Sequence, residues 1–224
     1  MIMNKFQFVL AAVPIAFVVG CSNPADSVPE AKVSKASNTV ATSSAASGKR
    51  FALHPENSKI EFTGSKVTGK HDGGFRNFAG ELNVVAGHVA DTGNRILIDM
   101  DSAWADNPDV TQHLKKTEFF EVPKYPTAEF VTTAIAPGTN GSTVTGNLQL
   151  HGITKQISFP ATIQVSDNEV SVAAQFFIKR FDFDVKYKGM ADDLVRDEVV
   201  LRLNVKAAPG NADFSKIEKL ATAK

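Results

Sequence analysis

The sequence carries almost no cysteine. Cys21 is the only one in 224 residues, so no disulfide can close within the chain and the core alone must hold the folded part. Net charge is equally scarce, with 24 Lys and Arg against 24 Asp and Glu. Without a basic excess there is no electrostatic footprint for a polyanion, which argues against nucleic acid as a partner. The five histidines, His54, His71, His88, His113 and His151, lack the close pairing of a metal site. There is no Ser or Cys nucleophile motif and no phosphate-cradling glycine loop. Asp99 and Asp101 share one face of an alternating run and are expected to point to solvent. Asp192, Asp193, Asp197 and Glu198 surround Arg196, where ion pairing explains the cluster more simply than catalysis. These absences point away from an enzyme and imply neither a metal nor a cofactor.

Tyrosine and tryptophan are rare too, with 2 Tyr and 1 Trp beside 16 Phe. A phenylalanine-rich interior suits a large apolar lining and an ordinary β core equally well. Long hydrophobic runs are missing except at the start, where Lys5 precedes an apolar stretch from Phe6 to Val19 broken only by Gln7 and Pro14. That is a basic region followed by a short apolar one, too short to span a bilayer comfortably, as in a signal peptide. Residues 22 to 49 are rich in Ser, Ala, Thr, Asn and Pro, a composition too poor in large apolar groups to order itself. As a flexible coil this linker would reach about 30 Å. The expected organisation is a leader over 1–20, Cys21 and a disordered linker over 21–49, one folded domain over 50–208, and a polar or weakly helical tail over 209–224.

Within the domain the dominant signal is alternation. Ile60 and Phe62 open a strand, Lys70 to Gly74 reads as a turn, and further strands are expected from Phe75 to Val85 and from Arg95 to Trp104. Asn107 then reads as a helix cap followed by Pro108 in the first turn, with Val110, His113 and Leu114 at helical spacing. Pro123 and Pro126 end any helix, and Ala128, Phe130 and Thr132 resume the strand period. Pro137 to Gly141, His151-Gly152 and Asp167-Asn168 separate the later strands. Val170 to Ile178 alternate in one parity and Phe181 to Val185 in the other, which predicts a bend near Lys179-Arg180. Seven or eight antiparallel strands on short turns suit either a closed barrel or a sandwich.

Three stretches carry a resemblance. His113-Leu114-Lys115 followed by Phe119-Phe120, Lys124-Tyr125-Pro126-Thr127-Ala128 and Phe130 is the first. Gly146 to Lys155, with its glycine, leucine, histidine-glycine and threonine spacing, is the second, and Arg180-Phe181-Asp182-Phe183 is the third. Together they resemble the signature of the YceI-like family of periplasmic lipid-binding proteins, in consistent order over roughly residues 58 to 206. Asp184 stands where the family usually continues with glycine, so the local turn is expected to differ. The resemblance implies an all-β fold, an elongated antiparallel lipocalin-like barrel of about eight strands with a short helix inserted before the Phe119–Phe130 stretch. The interior of such a barrel is either filled by side chains or holds one slender ligand.

The function implied is binding or carriage of a long-chain amphiphile, such as a polyisoprenoid, an isoprenoid quinone or a fatty-acyl lipid. Candidate lining residues from the alternating faces are Phe62, Phe78, Ile98, Met100, Phe130, Leu148, Phe159 and Phe176. Trp104, Leu114, Phe119 and Phe120 join them from the helix and hinge. Val18-Val19-Gly20-Cys21 resembles a bacterial lipobox, which implies cleavage before Cys21, acylation of Cys21, and a membrane anchor on the periplasmic side of the envelope. Ser22 in place of aspartate favours the outer membrane. A ligand-free envelope module for protein–protein contact and an enzyme acting on an amphiphile stay open as alternatives, and the outer face of a barrel also offers a surface for a homodimer.

Overall fold

The computed structural model describes residues 23–37, 48–191 and 193–222. The expected leader over 1–20 and the acylation site Cys21 lie outside the described residues. Fourteen strands form among the described residues: β1 (Lys32–Lys35), β2 (Lys49–Leu53), β3 (Lys59–Lys66), β4 (Gly69–Phe75), β5 (Phe78–Val85), β6 (His88–Val89), β7 (Arg95–Asp99), β8 (Ala103–Ala105), β9 (Thr127–Gly138), β10 (Gly141–Leu150), β11 (Ile153–Val165), β12 (Val170–Lys179), β13 (Gly189–Met190) and β14 (Asp193–Pro209). Helix α1 (Pro108–Leu114) sits between β8 and β9, and α2 (Ser215–Thr222) follows β14.

Eight strands close a circuit of antiparallel pairs, β11–β10–β9–β7–β5–β2–β14–β12 and back to β11. The fold is the expected barrel. β3, β4 and β8 branch from β14 and extend its wall. The longest seam is β12 on β14, in register from Val170↔Ala207 to Lys179↔Glu198. Strict period-2 alternation fixes that register, because a slip by one residue would turn Phe176 and Ile178 outward. Closure leaves few free edges and turns one face of every strand onto a common core.

Sequence and structure part at several places. Lys70 to Gly74 was expected to turn, yet it lies in β4. The glycines there answer to packing, since a Cβ on Gly73 would stand 2.5 Å from the Phe62 ring and 2.3 Å from the Trp104 carbonyl oxygen. The run from Arg95 to Trp104 breaks into β7 and β8 around a 3-10 turn at Met100–Ser102, capped by the Asp99 carboxylate accepting from the Asp101 amide. Asp184 adopts the left-handed conformation itself, with φ 60°, a backbone region that glycine favours and that Asp tolerates better than most residues. The tail after Pro209, expected to be polar or weakly helical, forms α2, whose Ile217 is buried against Ala79 and Leu97 on the outside of β5 and β7.

The linker expected to be disordered is ordered over residues 23–37. Asn23 caps a 3-10 turn at Pro24–Ser27, accepting from the Ala25 amide. Beyond it the chain enters the barrel wall. β11 and β12 pair only over Thr162–Val165 and Val170–Ala173, and past that point the N-terminal segment takes the place between them. β1 pairs antiparallel with β11 from Lys32↔Ser158 to Lys35↔Lys155. On the other side Glu30 forms a parallel bridge with Phe177 of β12. Order here comes from backbone pairing and two small apolar side chains, which composition alone does not reveal.

Candidate functional site

Inward side chains of β3, β7, β9 to β12 and β14 surround a cavity of about 180 Å³. Leu114, Phe119 and Phe120, from α1 and the loop after it, line it together with Val185. Apart from Arg180 and Arg196, every residue lining it is apolar or glycine. A second apolar chamber of about 60 Å³ lies beside it, with Leu53, Leu82, Asn94, Thr132 and Val205 in its lining. Four residues line both chambers, Ile96, Phe130, Phe159 and Leu203, and so form the partition between them. The Phe130 and Phe159 rings lie 5.8 Å apart, and Phe159 is stacked on Phe176 at 4.0 Å with 13° between the planes. Phe130 has room only because residue 146 is glycine: a Cβ there would meet the ring at 2.4 Å.

Ten of the twelve candidate residues meet around the main cavity: Phe62, Ile98, Met100, Leu114, Phe119, Phe120, Phe130, Leu148, Phe159 and Phe176. Phe78 and Trp104 do not. Phe78 is buried in the core cluster that holds Phe51, Leu53 and Ile60. Trp104 pairs with Gly74 rather than Gly73, so the reset at Met100–Ser102 puts its indole on the outer side of the wall, with Arg76 over its ring at 5.3 Å. Several lining residues were not singled out from the sequence, among them Ile157, Ile178, Val199, Leu201 and Leu203. The same alternation marks them, with smaller side chains than the rings.

Arg180 sets one end of this cavity. It is 4% exposed, and its guanidinium donates to three carbonyl oxygens: Nε to Arg196 at 2.9 Å, Nη1 to Val185 at 2.7 Å and Nη2 to Val195 at 3.0 Å. Burial lowers its pKa from the ordinary arginine value, with Asp197 opposing the shift. The side chain thereby ties the bend after β12 to the start of β14. Arg196 and Asp197 do not pair as the sequence suggested: Asp197 accepts from the Phe181 amide and Asp193 pairs with Lys66. His151, in left-handed backbone with φ 51°, faces the Phe183 carbonyl through Nδ1 at 3.3 Å. That bond links the β10–β11 turn to the same bend, a structural role. A three-ring cluster of His113, Phe119 and Tyr187, with centroids 4.7 to 5.1 Å apart, packs the α1 end against the loop before β13. No cluster of three potential metal ligands occurs among the described residues.

A closed antiparallel barrel with an apolar, carbon-lined interior defines a lipocalin-like β-barrel protein. The YceI-like domain profile matches residues 51–207, and the chain belongs to that family. It is similar to a UPF0312 protein of Pseudomonas putida (strain W619), 36% identical over 93 residues that cover 40% of this chain and 47% of the relative. A UPF0312 protein of Shewanella denitrificans is 29% identical over 124 residues, 54% of this chain and 65% of the relative. The chain thus spans about half the length of the first of these relatives. Among solved structures it is similar to BcnA of Burkholderia cenocepacia, with a TM-score of 0.61 at 25% identity over 67% of this chain and 96% of that one. A polyisoprenoid binding domain from Saccharophagus degradans gives 0.58 at 17% identity over 73% and 99%, a likeness of fold.

Proposed function

We propose that this protein binds the apolar tail of a long-chain amphiphile, such as a polyisoprenoid, an isoprenoid quinone or a fatty-acyl lipid, inside its barrel. The observation that carries this reading is the cavity lining, which offers carbon surface and no carboxylate, imidazole or hydroxyl for chemistry. It is a binder's interior. The polyisoprenoid-binding neighbour of like fold supports the same ligand class. Each buried five-carbon unit contributes roughly 3 to 4 kcal/mol, against an association cost of about 4 kcal/mol or more. The main chamber holds about one such unit, which offsets only the lower end of that cost, so useful affinity requires the cavity to widen around a second. The lipobox-like Val18 to Cys21 supports a setting at the periplasmic face of the envelope, with Cys21 acylated.

The test is mass spectrometry of the solvent extract from protein purified out of its native envelope. A stoichiometric long-chain species would support the reading and identify the headgroup. Protein that comes out empty, and also fails to take up geranylgeraniol or a quinone, would sink it. Acylation is checked separately by the mass of the N-terminal peptide, which Cys21→Ser should return to that of an unmodified chain.

A further inference from the structure

The wall between β11 and β12 is built in two layers. Inside, the Phe159 ring from β11 lies flat on the Phe176 ring from β12. Ile157 beside the first and Ile178 beside the second line the same cavity. Outside, where the two strands have parted, residues 29–35 fill the gap. Ala31, 1% exposed, packs in the same cluster as those four residues, with Val33 beside it. The stitching of this strap is unequal. Four successive residues of β1 pair with β11, and Asn147 holds the far end by accepting from the Ser37 amide at 3.0 Å and donating to the Ser37 carbonyl at 2.9 Å. Toward β12 there are two backbone bonds, Ala31 N to Phe177 O at 2.9 Å and Phe177 N to Pro29 O at 3.0 Å. One ion pair, Glu30 with Lys179 at 2.8 Å, joins them, about half exposed on both sides.

From this asymmetry we propose that the β11–β12 seam is the lateral portal of the cavity, and that residues 29–35 are its strap, opening along the β12 side. The inference rests on the proposed function for the identity of what passes. β14 on β2 has only two paired positions, but none of those four residues lines the main cavity; the neighbouring seam on the cavity wall, β12 on β14, spans ten. Among the described residues, two backbone bonds, one exposed ion pair and the packing of Ala31 and of the 3-10 turn on β14 stand between a tail and the ring stack. Both rings of that stack belong to the cavity lining, so their separation opens directly onto the binding chamber.

A lock tests the portal. Glu30 and Phe177 are bridge partners, and neighbouring strands lie about 4.8 Å apart, within the reach of a disulfide. Glu30→Cys with Phe177→Cys in the full chain, its bridge verified by peptide mass mapping against pairing through Cys21, should slow release of bound geranylgeraniol about tenfold or more, with recovery on reduction. A control bridge from Ala173→Cys and Asn204→Cys, paired positions of β12 and β14, should leave release unchanged. Glu30→Lys should speed release about two- to fivefold and Lys179→Glu in the same chain should restore it. Release unaffected by the lock would overturn the portal. Hydrogen exchange judges the strap even without a ligand: the Ala31 and Phe177 amides should exchange about tenfold or more faster than those between β12 and β14. Equal protection would overturn the proposal, whereas failure of the wild type to bind any tail would count against the proposed function alone.

Discussion

Phe159→Ala should lengthen the tail that the barrel accepts. A dry cavity of about 150 Å³ takes one benzene-sized group, so the main chamber of about 180 Å³ takes a comparable load before a tail meets the partition. Phe159 and Phe130 are the aromatic members of that partition. Removing the Phe159 ring joins the smaller chamber of about 60 Å³, a third again, and adds the space of the ring itself. One further five-carbon unit can then be buried, worth roughly 3 to 4 kcal/mol at most. The assay is affinity along the series prenol, geraniol, farnesol and geranylgeraniol. In the wild type the gain per unit should flatten once the tail reaches the rings. In Phe159→Ala the rise should extend one unit further, from prenol to geraniol, and leave the longer members at least about tenfold tighter than in wild type. The empty variant should lose about 3 to 5 kcal/mol of stability, part of which a bound tail returns by mass action. Phe159→Leu is the milder version if the alanine variant does not fold. Identical length dependence in wild type and both variants would refute the partition.

Other outcomes follow from the same contacts. Arg180→Met leaves three carbonyl oxygens, one buried and two partly buried, without their donor and should cost about 3 kcal/mol, read as a drop in Tm of about 6 to 12 °C by calorimetry. Gly146→Ala puts a Cβ 2.4 Å from the Phe130 ring and 2.6 Å from the Val131 carbonyl oxygen, so a loss of about 1 to 3 kcal/mol is expected in denaturant titration. The Asp72 carboxyl is held below its ordinary value, first by the hydrogen bond from Thr63 and, against desolvation, by Arg202. A depressed carboxyl pKa contributes stability above the unfolded value, and that contribution is lost as pH falls through the folded one. Acid unfolding below about pH 4 should therefore begin at higher pH in Arg202→Met, monitored by far-UV circular dichroism.

Most of the barrel could be read from alternation. Val170 to Ile178 and Val199 to Val205 declare one inner face each, and the cavity residues they carry follow from it. What resisted reading had local causes. Gly73 and Gly74 look like turn residues, yet their missing side chains make room for Phe62 and Trp104 across the sheet. Trp104 lost its expected place because three residues of 3-10 turn reset the parity after Asp99. The segment 29–35 has too little apolar content to signal order, and its place is set by a gap between strands more than 120 positions further along the chain. Long-range vacancies of that kind leave no mark on the residues that fill them.

The strap also changes the reach of the whole domain. A free linker after Cys21 would let the barrel swing about 30 Å from an anchoring lipid. With the chain seated on the wall from Asn23 onward, two residue steps separate that point from Cys21, a span of about 7 Å when fully extended. An acylated Cys21 would therefore hold the barrel flank against the bilayer, close to the β12 and β14 wall. Were Cys21 so acylated, the strapped seam would stand within a few residues of its lipid.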